Sequence, residues 1–270
     1  CMDGMSLTPA LQRAKGQVAL HLSGDKIERL YQSGCAKLML PKTYGPMREA
    51  VILNTAGGIT GGDRLDIELK AAGCALAATT QTAERLYRSS TSPARIAVNL
   101  HAASGAVLHW MPQETIIFDG AGVDRTIRLD MDNASTCLLA ETIVLGRQAM
   151  GEQVRAGHFT DNWRLYRDGR LFHAESVRLT GDIAAIMAAS AGGNGARMLT
   201  TILYAGDDAE QQGRMIEPLV GQCRSICAAS FWGDRLVIRL ASPHPPTARA
   251  DINTLLGALR QQPMPRVWQM

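Results

Sequence analysis

The sequence predicts a mainly β (α+β) protein, a large antiparallel β assembly with a small C-terminal helical layer. The main observation is that apolar and polar residues alternate in short segments, which indicates strands with one buried face. Clear examples are residues 65–70, 96–100, 106–110 and 127–131. Such segments follow one another at intervals of roughly ten residues up to about Leu179, which is too short for the crossover helices of a βαβ fold. We therefore expect antiparallel pairing.

Two turn signals support this expectation. Asp168 and Gly169 separate the apolar-rich segments 163–167 and 170–173. An Asp-Gly pair supplies the two positive φ angles of a type I′ turn, so this stretch predicts a β-hairpin. Gly233 and Asp234 predict a second, similar hairpin before residues 235–238.

Helical signals appear only late in the chain. Acidic residues at 207–210 favour a helix start, and the helix is expected to end at about Glu217 because Pro218 follows. A second helix, ended by Pro263, is predicted by one apolar stripe that consists of Ile252, Leu255, Leu256 and Leu259. We interpret residues 1–270 as a single domain in which 196–270 is a possible α+β subregion.

Composition and charge exclude several classes of protein. The chain has 270 residues, 46% of them hydrophobic and 20% charged, which is typical of a globular domain. The net charge is only +3 and the basic residues are scattered, so no nucleic-acid partner is expected. No stretch is apolar enough to span a membrane and no N-terminal signal is visible. The six cysteines and six histidines are dispersed and form no zinc motif, and reduced thiols in the cytoplasm fit best.

A glycine-rich segment, residues 53–65 (LNTAGGITGGDRL), is the most unusual feature of the chain. Four glycines within six residues indicate that the backbone itself must adopt special conformations there. The spacing from Gly57 to Gly62 fits a phosphate-binding loop, but Asp63 stands where that loop needs a lysine. A nucleotide site is therefore disfavoured, and a pair of tight turns between strands remains an alternative reading.

Several carboxylates are placed suggestively. Asp63 follows the glycines, Glu114 follows a strand, and Glu175 follows the first hairpin, while Glu141 interrupts the apolar run 137–145. A carboxylate in a dry core needs a partner, so Glu141 should find an arginine such as Arg147, a water-filled passage or a metal ion. Oxygen ligands without His or Cys hold Ni²⁺ weakly, which suits passage better than storage.

No catalytic arrangement is recognisable, since there is no G-x-S-x-G elbow and no spacing that joins a nucleophile to a base. We predict no catalytic residues. A stand-alone β-rich enzyme that uses convergent carboxylates and a divalent metal remains the alternative.

The order of five short segments resembles the UreD (also called UreH) family of urease accessory proteins from about residue 30 to the end. The first is the glycine-rich segment. The others are 79–89 (TTQTAERLYRS), 111–121 (MPQETIIFDGA), 145–147 (LGR) with 151–152 (GE), and 265–268 (PRVW).

This resemblance implies a cytoplasmic, non-enzymatic scaffold that binds the urease apoprotein and, with UreF-type and UreG-type partners, assists nickel insertion. It implies no permanently bound cofactor and only transient nickel. Positions that match acidic residues along a proposed internal nickel passage are Asp63, Glu141 and Glu175. The signature-loop residues are Asn54, Gly57, Gly58, Gly61 and Gly62. The chain departs from the family pattern at Arg64, where some relatives carry an acid, and at Ala140, where many carry Trp.

The C-terminal segment offers candidate partner-binding residues. Arg266 and Trp268 are of the types that anchor protein interfaces. A terminal Trp packed against its own β core is an equally good interpretation.

Overall fold

The protein is a two-sheet β structure with a helical layer on one side. The computed structural model describes residues 12–43, 45–90, 92–147 and 151–269. The first sheet contains, in spatial order, β14 (Arg170–Asp182), β13 (Ala156–Arg167), β11 (Gly122–Met131), β8 (Ala94–Ala103), β5 (Arg64–Ala72), β1 (Lys15–Ser23) and β2 (Lys26–Gly34).

The second sheet carries the remaining strands. In spatial order these are β16 (Ile226–Trp232), β17 (Arg235–Ser242), β15 (Met198–Ala205), β12 (Thr136–Leu145), β9 (Val107–Trp110), β6 (Ala75–Thr80), β4 (Arg48–Asn54) and β3 (Ala36–Met39). Two short strands lie beside this path, β7 (Glu84–Leu86) and β10 (Thr115–Ile117), and β10 pairs with both β7 and β12. The prediction of a mainly β fold with a small helical part is confirmed.

The prediction of antiparallel pairing is wrong for the centre of both sheets. Strands β1, β5, β8, β11 and β13 pair in parallel, as in the register of Ile67 with Val98 and of Ile127 with Trp163. Strands β4, β6, β9 and β12 of the second sheet also pair in parallel. The reason is that the chain alternates between the sheets from β5 to β13. Each strand that returns to a sheet therefore runs parallel to the preceding strand of that sheet. The connection between two such strands is a strand of the other sheet instead of a helix.

Antiparallel pairing occurs towards the sheet ends. The hairpin of β13 and β14 is confirmed, with Asp168 at φ 46° and Gly169 at φ 75° in its turn. The hairpin of β16 and β17 is confirmed as well, and Gly233 has φ 61°. Further antiparallel pairs join β1 to β2, β3 to β4, and β15 to both β12 and β17.

The described residues contain three α-helices and a final 3₁₀ turn: α1 (Ile183–Ala188), α2 (Ala209–Gln222), α3 (Pro245–Arg260) and Arg266–Trp268. The expected end of the first late helix is wrong, because α2 continues through Pro218. Packing of α2 against β16, β17 and α3 outweighs the hydrogen bond that proline removes. The apolar stripe of α3 is confirmed, and all four of its members are buried.

Two apolar cores hold these layers together. One lies between the sheets and includes Leu69, Leu100, Leu108 and Trp163. The other lies between the second sheet and the helices and includes residues of β12, β15, β17, α2 and α3. Strand β12 contributes alternate residues to both cores, which is why residues 137–145 read as an unbroken apolar run. The subregion 196–270 supplies β15, β16, β17, α2 and α3; its status as a separate unit stays a prediction.

None of the helices in the described part of the chain combines the length and the apolarity that a membrane span requires.

Candidate functional site

A buried ion cluster lies between the two sheets. Strands β11 and β13 place Arg125 and Asp161 side by side on the inner face of the first sheet, and β12 places Glu141 opposite them. The guanidinium nitrogens of Arg125 lie 2.6 Å from Asp161 Oδ2 and 2.5 Å from Glu141 Oε2. These side chains are only 3–4% exposed. A cation shared by two carboxylates offsets part of the cost of burying them, and the cluster carries one formal negative charge when both are ionised.

Three neutral side chains add hydrogen bonds to this cluster. The indole Nε1 of Trp110 donates to Glu141 Oε1 at 2.8 Å, and that of Trp163 donates to Asp161 Oδ2 at 3.0 Å. Arg125 also donates to Thr115 Oγ1 at 3.0 Å. Asp161 Oδ1 has no partner among the described residues. Arg125 Nε is likewise without a hydrogen-bond partner in the described residues, so the cluster retains one free acceptor and one free donor.

A cavity of about 360 Å³ adjoins the cluster, and Glu141, Asp161 and Glu175 all line it. Its other walls are mainly apolar residues of β12, β14, β15, β16 and β17. Glu175 is held by Arg239 at 2.6 Å, and His173 Nε2 lies 3.7 Å from its carboxylate. Three carboxylates against the guanidinium groups of Arg125 and Arg239 leave one formal negative charge at this cavity.

The protonation of Glu141 is unusual. Burial raises the pKa of its carboxyl to about 7, Arg125 acts in the opposite direction, and the nearby Asp161 raises it further. Within the described residues no group of three or more His, Cys, Asp or Glu side chains converges to hold a metal ion.

Of the three predicted acids, Glu141 and Glu175 come together at this cavity, whereas Asp63 lies elsewhere. Asp63 is buried just before β5, where its two carboxylate oxygens accept 2.8 Å hydrogen bonds from the backbone N–H groups of Ala14 and Thr60. These contacts close the turn after the glycines. The other carboxylate, Glu114, pairs with Arg249 at 2.9 Å.

The expected partner of Glu141 was wrong in detail. Arg147 pairs with Glu152, and Arg125 takes the place beside Glu141. Sequence reasoning missed both Arg125 and Asp161, although a signal was present. Arg125 alternates in step with the inward apolar residues Val123 and Ile127 of β11. Asp161 does the same with Phe159 and Trp163 of β13. A charged residue at an inward position of a strand is the signal.

The signature loop serves backbone geometry, as predicted. Gly58 has φ 150°, and a Cβ atom there would lie 2.3 Å from the Tyr87 ring. At Gly61 a Cβ would lie 1.9 Å from Ser89 Oγ, so no side chain fits. Gly57 and Gly62 have φ 76° and 83°, the left-handed region. Asn54 caps the loop by accepting from Ala56 N at 3.0 Å and donating to Gly58 O and Glu84.

The two C-terminal candidates differ in exposure. Arg266 is exposed, whereas Trp268 is 6% exposed in the second core. Its indole Nε1 donates to Thr79 Oγ1 at 3.1 Å and to Met111 O at 3.2 Å. Trp268 is therefore packed against the β core of its own chain, as the second interpretation expected. A role for Arg266 in partner binding stays a prediction.

Comparison with known proteins gives one consistent result. A family model described as "UreD urease accessory protein" matches residues 12–269. A protein named Urease accessory protein UreD from Rhizobium rhizogenes is 43% identical over 269 residues, which cover 98% of each chain. Proteins of the same name from Rhizobium etli (43% identity, 96% of each chain) and Chelativorans sp. (41% identity, 96% of this chain and 95% of the relative) are similar over the same extent.

Proposed function

Because the chain belongs to the UreD family of urease accessory proteins, we propose that it acts in the cytoplasm as a maturation scaffold that binds apo-urease together with UreF-type and UreG-type accessory proteins. A role in urease maturation and urease-related partners follow from the family. The protein is not itself an enzyme, so the alternative of a stand-alone β-rich metal-dependent enzyme is set aside.

We further propose that nickel passes transiently through the cavity lined by Glu141, Asp161 and Glu175. The observation that supports this step is the meeting of three carboxylates at one cavity with a net negative charge. Carboxylate oxygens bind Ni²⁺ more weakly than thiolate or imidazole ligands do, so an ion held by them can leave again. No permanently bound cofactor is required. A place for Asp63 on the same route remains part of the proposal, although its carboxylate is occupied by backbone N–H groups.

The sharpest test is Glu175→Gln, because Glu175 lines the cavity without being part of the buried Arg125 cluster. The substitution keeps the side-chain shape and removes the net negative charge of the cavity. The matched control is Glu210→Gln on α2, which removes an equal charge from an exposed i,i+4 pair with Arg214.

Each variant is co-expressed with the urease subunits and the UreF-type and UreG-type proteins, and both co-purification and nickel-dependent urease activity are measured. We expect Glu175→Gln to co-purify normally and to lower urease activation several-fold, while Glu210→Gln changes neither. Full activation with Glu175→Gln would refute the passage. Full activation without this chain, or failure of the wild-type chain to co-purify with any partner, would refute the scaffold.

A further inference from the structure

Arg260 is a buried cation that forms no ion pair within the part of the chain that the structure describes. It is the last residue of α3 and is only 6% exposed. Its guanidinium donates to His109 Nδ1 at 3.0 Å, to Met111 Sδ at 3.6 Å and to Pro263 O at 3.0 Å. All three acceptors are neutral, and no carboxylate forms an ion pair with Arg260 among the residues that the structure describes.

The hydrogen bonding of this group is also incomplete. A guanidinium has five N–H donors, and the three contacts above use three of them, so two remain. One of these is Nε–H, which is buried and has no acceptor in the described residues. The other is the second hydrogen of Nη2, and an arginine N–H of this kind forms strong, charge-assisted hydrogen bonds to oxyanions.

The positive charge persists under physiological conditions. Burial lowers the pKa of Arg260 only to about 10, so the group is cationic at neutral pH. The neighbouring His109 is neutral, because burial and the charge of Arg260 lower its pKa to about 3. The C-terminal end of α3 favours a cation, and Glu49 acts on it at longer range. Neither the helix end nor Glu49 forms an ion pair with the Arg260 guanidinium. A buried charge without such a partner costs folding free energy.

A cavity of about 450 Å³ lies against this group. Arg260, His109, Gln212 and Tyr204 line it together with Asp208, the one carboxylate among the described residues of its wall. Asp208 accepts from the Tyr204 hydroxyl at 2.6 Å and from Gln212 Nε2 at 2.8 Å, and it forms no ion pair with Arg260. The cavity is separate from the one that Glu141 lines.

We propose that this cavity binds a small oxyanion, of the class of inorganic phosphate or hydrogencarbonate, which serves as the counter-ion of Arg260. The anion occupies the cavity beside the guanidinium and accepts a hydrogen bond from the Nη2 hydrogen that the contact with Pro263 leaves unused. The site joins the end of α3 to β9, so its occupation stabilises the packing of the helical layer on the second sheet. This inference does not depend on the proposed function.

The test measures thermal unfolding of the full chain in sodium phosphate and in sodium hydrogencarbonate, against sodium chloride at equal ionic strength and near-neutral pH. A ligand that binds only the folded state raises Tm in proportion to the logarithm of one plus the ratio of ligand concentration to Kd, so the rise continues without a plateau above Kd. For a chain of this size we expect a rise of about 2–4 °C at roughly ten times Kd with at least one of the two anions. Equilibrium dialysis with labelled phosphate or hydrogencarbonate gives the stoichiometry, expected to be one per chain.

Two variants remove the need for the anion in different ways. Arg260→Gln removes the charge. Met111→Glu retains Arg260 and supplies a carboxylate at a side chain whose sulfur now lies 3.6 Å from Arg260 Nη1. Met111→Gln is its neutral, equally sized control, and Arg214→Gln removes an exposed arginine whose side chain is 78% exposed.

We expect the anion-dependent rise in Tm in the wild type, Met111→Gln and Arg214→Gln, and at least tenfold weaker binding in Arg260→Gln and Met111→Glu. If Arg260→Gln does not fold, the pair Met111→Glu and Met111→Gln decides alone. An equal rise in every variant would mean a general salt effect and would overturn the proposal. So would the absence of binding of either anion to the wild type.

Discussion

Replacement of Arg125 by Met is expected to be the most damaging single change in the core between the sheets. Arg125 is the common partner of Glu141 and Asp161, and all three side chains are at most 4% exposed. Methionine roughly fills the space but leaves two buried carboxylates without a cation. Removal of one partner of a buried ion pair costs about 3–5 kcal/mol.

The cost should depend on pH, because the folded variant must protonate carboxylates that are ionised in the unfolded chain. Above an unfolded pKa of about 4, protonation of one buried carboxylate costs about 1.36 kcal/mol per pH unit, which amounts to about 4 kcal/mol between pH 5 and pH 8. We therefore expect a loss of about 5 kcal/mol near pH 8, falling to about 1 kcal/mol near pH 5.

Urea unfolding of the wild type and of Arg125→Met at both pH values measures these losses. The matched control is Arg128→Met, which breaks the exposed pair with Asp130 on the same strand and should cost at most about 1 kcal/mol. A loss for Arg125→Met of less than about 1 kcal/mol near pH 8, or one that does not change with pH, would show that the buried cluster is not ionised as described.

Three other changes test separate parts of the structure. Glu84→Gln should flatten the pH dependence of stability: burial raises the pKa of Glu84 to about 7, so its contribution is present below about pH 4.5 and is lost as the pH rises through 7. The free energy of unfolding of the wild type, followed from about pH 5 to pH 8, should fall by about 1–3 kcal/mol more than that of the variant, and parallel curves would contradict this. Gly58→Ala should destabilise more than Gly57→Ala, because a Cβ at Gly58 meets the Tyr87 ring at 2.3 Å whereas the space at Gly57 is open, leaving there only the left-handed strain of about 1–2 kcal/mol. Equal losses in urea unfolding would refute the steric argument. Trp268→Phe removes the indole donor to Thr79 and Met111 and should lower the free energy of unfolding by about 1–2 kcal/mol, whereas an unchanged midpoint would mean that the C-terminal segment does not pack as described.

Local sequence patterns predicted the elements well where the pattern is itself local. Alternation located the strands, the Asp168-Gly169 pair located a turn, and the apolar stripe of α3 identified its buried face. The special backbone at the glycine-rich loop followed from glycine alone, since only glycine tolerates the observed φ angles and contacts. The prediction for α2 failed at Pro218 because tertiary packing overrode a local signal.

The candidate site was only partly predictable. An acid inside an apolar run marked Glu141, and the position directly after the first hairpin, together with the family resemblance, marked Glu175. Nothing in their spacing revealed that Asp161 and Arg125 join them. These residues belong to different strands, and a strand pattern specifies which face a side chain occupies but not which strand lies opposite.

The sequence by itself thus determined the β-rich class, the main turns, the stripe of α3 and the family, because each depends on short-range pattern or on the order of short segments. Tertiary structure alone decided that central strands run parallel, that Arg125 serves two acids, and that Trp268 is buried. All three depend on which sheet each successive strand joins. Many segments have similar apolar faces, so the long-range packing of these faces decides the arrangement and the local pattern does not.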